Sequence, residues 1–236
     1  MTTKKETRIN EWFVPKFGST RFRIFVGLLF LPYTGMCISF AVIGSLVAVT
    51  VSWERVGAIA LIYALALGIS AHAADSVGSK RTKPWGTYFS RRQLLALTAV
   101  SLGAAYAIGA YYIVFYVPFL AMIAVLEGFF LLAYNFELFG GRFHNDFWFC
   151  VSWGCLPALA GYVMQTNSID VFPLGVSLAA GLASYLEIRL SRPYKELRRS
   201  GATGGRASSL EGSLKVLSIG TVSFTAVLVA VRIIFS

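Results

Sequence analysis

Four short stretches carry nearly all the residue types and spacings that do chemistry. In Ala71-His72-Ala73-Ala74-Asp75-Ser76-Val77-Gly78-Ser79, His72 and Asp75 stand three apart, and Ser79 follows at four. On a helix all three share one face. Lys80, Arg81, Lys83 and Pro84 come directly after. A carboxylate beside clustered cations suits a metal-bridged phosphate: Mg²⁺ takes carboxylate oxygen, and the cations neutralise phosphate. The same spacing also fits a plain helix end whose interfacial Asp pairs with Lys or Arg. The second stretch runs from Tyr134 to Asp146 and holds Asn135, Glu137, Gly140, Gly141, Arg142, His144, Asn145 and Asp146. It reads as a polar cap over a cavity, or as a capped turn with local ion pairs. The glycines permit a tight bend, and Asn145 and Asp146 are helix-capping types. In the third, Glu187 and Ser191 lie four apart, with Arg189, Arg192 and Lys195 interleaved. The alternative there is the charged end of a membrane helix with a Glu–Arg pair. The fourth is Glu127, isolated among apolar residues; a carboxylate facing lipid is costly, so it should face the bundle interior or be protonated. His72, Asp75, His144 and Asp146 together would make a two-His, two-carboxylate set suited to Fe, Mn or Zn.

The elements that must position these residues are membrane helices. The chain has 236 residues, 56% hydrophobic and only 14% charged, with a mean hydropathy of +0.67. A soluble domain carries about 25% charged residues. These values exclude a disordered chain, a disulfide scaffold and a coiled coil. Seven apolar stretches, roughly 24–51, 55–75, 92–111, 113–136, 147–165, 171–190 and 213–235, are each long enough to cross about 30 Å of hydrocarbon. The expected fold is therefore an all-α polytopic transmembrane bundle of about seven spans, occupying residues 24–236 as a single domain. Pro32 and Gly35 predict a kink in the first span. Tyr111, Tyr112, Tyr116 and Pro118 predict an interfacial turn between the third and fourth. Residues 191–212 read as a long loop with a flexible Ser200–Arg206 segment.

Residues 1–23 form a polar, basic, cytoplasmic segment, interfacial around Trp12 and Phe13, with no cleavable signal pattern. Of the 21 Lys and Arg, 19 fall in this segment and in the loops on the same face; only Arg55 and Arg232 fall on the other. Basic residues collect on the cytoplasmic side. This predicts the cell (cytoplasmic) membrane, multi-pass, with the N-terminus cytoplasmic and the C-terminus outside. It also accounts for the net charge of +10 without nucleic acid, for which no aromatic–basic module is present. Cys37, Cys150 and Cys155 lie in apolar segments and read as packing residues.

The arrangement resembles the UbiA superfamily of intramembrane prenyltransferases. Residues 71–79 stand where that family has its first Asp-rich motif; Asp75 is retained, and His72 and Ser79 replace the other acids. Lys83-Pro84 is similar to its Arg-Pro pair, Ser90 to the Ser that opens helix three, and Tyr134 to a Tyr ending helix four. Gly154-Cys155-Leu156-Pro157 and Gly161-Tyr162 look like its helix-five stretch. Glu187-Ile-Arg-Leu-Ser191 takes the place of the second acidic motif. The likeness covers about residues 20–215, and the family's usual nine helices are here seven, as in a shortened branch. It implies Mg²⁺-dependent transfer of a prenyl group from a prenyl diphosphate to a lipophilic acceptor, with a membrane lipid or isoprenoid as substrate. In that reading Asp75 and Glu187 are catalytic and hold Mg²⁺, assisted by Glu137, His144 or Asp146. His72, Ser79, Lys80, Arg81, Lys83, Tyr134, Asn135, Arg142, Arg192 and Lys195 hold the substrate. The alternative is a non-catalytic bundle of the same shape that binds a lipid, quinone or carotenoid, or that partners other membrane proteins in a larger complex.

Overall fold

The computed structural model describes residues 8–78, 88–200 and 204–235, the side chain of Arg199 excepted. Ser79, Lys80, Arg81 and Lys83, all expected at the site, lie outside the described residues. The described chain is helical: α1 (Thr20–Leu28), α2 (Leu31–Leu46), α3 (Trp53–Gly78), α4 (Arg91–Phe115), α5 (Leu120–Asn135), α6 (Asp146–Thr166), α7 (Val171–Arg199) and α8 (Gly205–Ile234). Six runs, with α1 and α2 counted as one, are long and apolar enough to span a membrane. The seventh apolar stretch is α5, with 16 residues. At 1.5 Å per residue it is about 24 Å long, short of the hydrocarbon core.

Each boundary has a local cause. Phe30 takes a left-handed conformation (φ 44°) between α1 and α2, and Pro32 falls in the first turn of α2, where its missing N–H costs no hydrogen bond. The expected kink thus lies a turn earlier than Gly35. Ser90 caps α4 in a reciprocal box with Gln93. The turn between α4 and α5 spans Tyr116–Phe119, four residues later than the sequence suggested, because the residue before Pro118 is the one that Pro pushes out of helical geometry. α7 does not stop at 190. It runs through Pro193 to Arg199, since Ile188, Ser191 and Tyr194 are buried and continue its inward face. α8 begins at Gly205, so most of the expected loop 191–212 is helix.

The helices form a ring, α2–α3–α4–α5–α6–α7–α8 and back to α2, with α2 and α6 also meeting across its centre. Gly44 and Gly161 allow that meeting: a Cβ on either would overlap a backbone carbonyl of the opposite helix, Ala158 O or Ala41 O. Hydroxyls tie the helices together as is usual in lipid. Ser45 Oγ donates to Gly161 O at 3.0 Å, Ser70 Oγ to Thr98 O at 3.1 Å, and Ser177 Oγ to Cys155 O at 2.8 Å. The three cysteines are free thiols.

Candidate functional site

Neighbouring ends of α2, α3, α5, α6 and α7 enclose a cavity of about 350 Å³. Its walls hold Asp75 and His72 from α3, Tyr134 and Asn135 from α5, Glu137 and His144 from the following turn, and Glu187, Arg192 and Lys195 from α7. Three stretches far apart in sequence, around His72–Asp75, Tyr134–His144 and Glu187–Lys195, therefore meet at one place. Glu187 is buried at 5% exposure. Among the described residues no salt bridge joins Asp75, Glu187 and Lys195 to one another. These charges face the cavity, not a partner across it.

Two local distortions set the geometry. α3 widens to a π-helix over Ala64–Ala71, and α6 does so over Val151–Cys155. Such segments rotate the residues that follow relative to a regular helix and recur at functional sites. The first delivers His72 and Asp75; the second carries Trp153. His72 is held between Phe30 (centroids 4.8 Å apart) and Trp153 (5.1 Å). Its Nε2 lies 3.3 Å from Thr34 Oγ1. Thr34 spends its only hydroxyl hydrogen on Leu29 O at 2.6 Å, so Nε2 carries the hydrogen of the His72–Thr34 contact. Gly78, one turn past Asp75, packs where a Cβ would overlap Asn135 O. That close approach brings the end of α3 against the end of α5.

The polar turn after α5 is built as a hinge-like series of left-handed residues: Glu137 (φ 48°), Phe139, Gly140 and Gly141. His144 stacks on Tyr134 at 4.3 Å, and its Nδ1 lies 3.0 Å from Tyr134 O. Asn145 caps α6 through Trp148 N at 3.1 Å. Asp146 lies off the cavity and pairs with Arg192 at 2.6 Å. Arg142 is exposed and also off it. The proposed set of two histidines and two carboxylates is therefore not brought together as one site. Among the described residues, no three His, Cys, Asp or Glu side chains assemble as metal ligands. Asp75 and Glu187 share the cavity wall as a pair.

Sequence reasoning missed six lining residues: Arg8, Phe30, Tyr33, Phe149, Trp153 and Ile188. The aromatic ones are indistinguishable in sequence from ordinary membrane-helix packing. Arg8 looked like one basic residue of a topology signal. Glu127 lies elsewhere, as a polar point in an apolar cleft between α3, α4 and α5. It accepts a hydrogen bond from Tyr63 OH at 2.9 Å, so it faces the bundle as expected.

The arrangement brings cations, carboxylates and aromatic rings to one cavity, which can hold a charged headgroup. No family model matches this chain, and no curated protein or solved structure matches it either.

Proposed function

We propose that this protein is an integral membrane prenyltransferase of the UbiA kind, which takes a prenyl diphosphate at the cytoplasmic-side cavity and alkylates a lipophilic acceptor. The observation that carries the reading is the convergence of Asp75, Glu187, Arg192 and Lys195 on one cavity lined by Phe30, Tyr33, Phe149 and Trp153. Lys195 and Arg192 would hold diphosphate oxygens. Asp75 and Glu187 fit Mg²⁺, which is commonly bound by one or two carboxylates together with substrate phosphates. The ion, when bound, neutralises charge on the leaving diphosphate. The allylic C1–O bond breaks with its electron pair leaving on the diphosphate; the acceptor supplies the pair for the new bond and loses a proton. Aromatic faces stabilise a developing cation, and Phe30, Trp153 and Phe149 border the same space. His72, clamped between two of those rings, would fix their positions.

We also assign the cavity end of the bundle to the cytoplasm. Arg55 donates to Met164 O and Gln165 O, and Arg232 to Ala48 O. Both thus sit at the opposite end, and the positive-inside asymmetry gives the direction. A membrane lipid or isoprenoid is the substrate class in this reading. The second reading, a binder of a lipid, quinone or carotenoid or a subunit of a larger membrane complex, draws support from the pairing of Asp146 with Arg192, which keeps one further carboxylate out of the site.

The test is a titration of the detergent-purified chain with geranylgeranyl diphosphate, by calorimetry, with Mg²⁺ and with EDTA. Saturable, Mg²⁺-dependent binding is expected. Asp75→Ala and Glu187→Ala should each weaken it by about tenfold or more, the scale of losing a charged contact, with the thermal midpoint little changed. Unaltered binding in both variants would remove the assigned site, and a folded wild type that binds no diphosphate would leave the non-catalytic reading.

A further inference from the structure

A second space shares none of its lining residues with the polar cavity. It is a narrow cleft of about 60 Å³ between α3, α4 and α5. Along α3 it runs from Ile59 to Leu67, and along α4 from Leu102 to Ile113. At 1.5 Å per residue those stretches are about 12 and 16 Å long. Among the described residues the lining is apolar apart from Tyr63, Tyr106 and Glu127. Gly109 marks the opening directly. It is buried, yet a Cβ added to it would meet no atom within 4 Å. Tyr106 lines the cleft and is itself 40% exposed, so the cleft reaches the outer surface of the ring beside it.

The polar groups of this lining leave one valence open. Tyr63 OH donates to Glu127 Oε1 at 2.9 Å, and Tyr106 OH donates to Ala124 O at 2.8 Å. Each phenol has then spent its single hydrogen. Glu127 Oε2 is buried and has no hydrogen-bond partner among the described residues. An unmatched polar atom in apolar surroundings is costly. The terminal torsion of a Glu side chain is broad, so either oxygen can turn to the open space while the other keeps Tyr63. Among the described lining residues there is no Lys, Arg or His, so the cleft offers nothing to an anion. A cation would form a desolvated ion pair, whose attraction often fails to repay its desolvation. A hydroxyl meets the need. It both donates and accepts, so it matches the carboxyl in either protonation state, and in hydrocarbon it is itself short of partners.

We propose that this cleft binds an uncharged membrane lipophile, a slender apolar chain with one hydroxyl, whose hydroxyl bonds to the Glu127 carboxyl while the chain lies between α3 and α4. Apolar voids stay dry and accept apolar guests, and ligand sites are commonly apolar with a few placed polar groups that fix orientation. A space so long and so small in volume takes a chain and not a fused ring system. The inference goes beyond the diphosphate reading and does not rest on it, since no residue is common to the two sites.

The test uses the full chain in dioleoyl-phosphatidylcholine nanodiscs, with a hexadecanol that carries a photoreactive diazirine in its chain. Cross-linked residues are located by mass spectrometry. Saturable labelling is expected on α4 and α5 around Tyr106 and Leu131. Plain hexadecanol should compete about fivefold or more better than hexadecane, the scale of one hydrogen bond. Gly109→Leu fills the space and should abolish this labelling, with the thermal midpoint unchanged or raised, because Leu is the better helix former and occupies a void. Binding of geranylgeranyl diphosphate should not change in that variant. Tyr63→Phe combined with Glu127→Leu removes both hydrogen-bonding partners together and leaves neither orphaned; it should erase the preference for hexadecanol over hexadecane. Equal competition by the two in wild type overturns the recognition of a hydroxyl. Absence of saturable labelling in wild type, or labelling that survives Gly109→Leu in a folded sample, overturns the site. If Gly109→Leu does not fold, the double variant carries the test, and a preference for hexadecanol retained there overturns the role of Glu127. A wild type that labels as expected but binds no diphosphate leaves this site standing and removes only the reading above.

Discussion

Glu127 shows how a single residue's environment sets its tolerance to change. It sits mid-way along α5, in an apolar cleft, with one carboxyl oxygen taken by Tyr63 and the other buried without a hydrogen-bond partner among the described residues. Tyr63→Phe leaves that carboxyl with no partner and should destabilise the bundle by about 1–3 kcal/mol, read as a lowered thermal midpoint in detergent. Glu127→Gln keeps an acceptor for Tyr63 and should stay within about 1 kcal/mol of wild type. If Tyr63→Phe is neutral, the hydrogen bond is not what secures this residue in the bundle. At the cavity the same logic applies in reverse: Asp75, Glu187 and Lys195 face open space, so their removal should cost binding before it costs stability.

At the scale of elements, the site depends on two close approaches. Gly44 and Gly161 let α2 and α6 cross backbone to backbone, and Gly78 lets α3 end against α5. The overlap at Gly161 is with a carbonyl of the opposite helix, which cannot swing aside as a side chain would. Gly161→Leu is therefore expected to cost about 3 kcal/mol or more and to broaden or abolish cooperative thermal unfolding; a variant as stable as wild type would show that α2 and α6 are not locked at this crossing. The elements also show where sequence patterns mislead. The polar run 191–212 resembles a loop because it is charged, yet α7 continues because one face of it, Ile188, Ser191 and Tyr194, is buried, with Tyr194 packed among Val14 and Leu214. The periodicity that predicts this is present in the sequence, but it cannot be told from a solvated amphipathic segment until Glu11 and Val14 are seen against Tyr194.

For the whole molecule, charge asymmetry and architecture agree. The cations of the cavity wall gather at one end of the ring, and Arg55 and Arg232 occupy the other. The proposed orientation is checked by cysteine labelling in a background where Cys37, Cys150 and Cys155 are replaced by alanine. Ser168→Cys, between α6 and α7, should react with an impermeant maleimide in intact cells. Ser200→Cys, after α7, should react only once the membrane is opened. The reverse pattern would invert the bundle and put the cavity on the outer face, away from a cytosolic diphosphate.

The sequence by itself determined the class and the cast. Hydropathy and length impose membrane helices, because backbone polar groups in hydrocarbon must be satisfied within the helix. Charge placement separates the two ends, and spacing marks Asp75, Glu187, Tyr134, Arg192 and Lys195 as candidates that also fit plain helix ends. The tertiary structure alone decided which of them share a cavity. Asp146 and Arg142 stand beside His144 in the chain yet point away from it, while Arg8 arrives from a segment that hydropathy marks only as a basic leader. Those outcomes turn on two π-helical widenings, a left-handed Phe30 and glycine-sized contacts between helices. Each sets where the backbone turns or how closely two helices approach, while leaving the apolar pattern of the sequence unaltered.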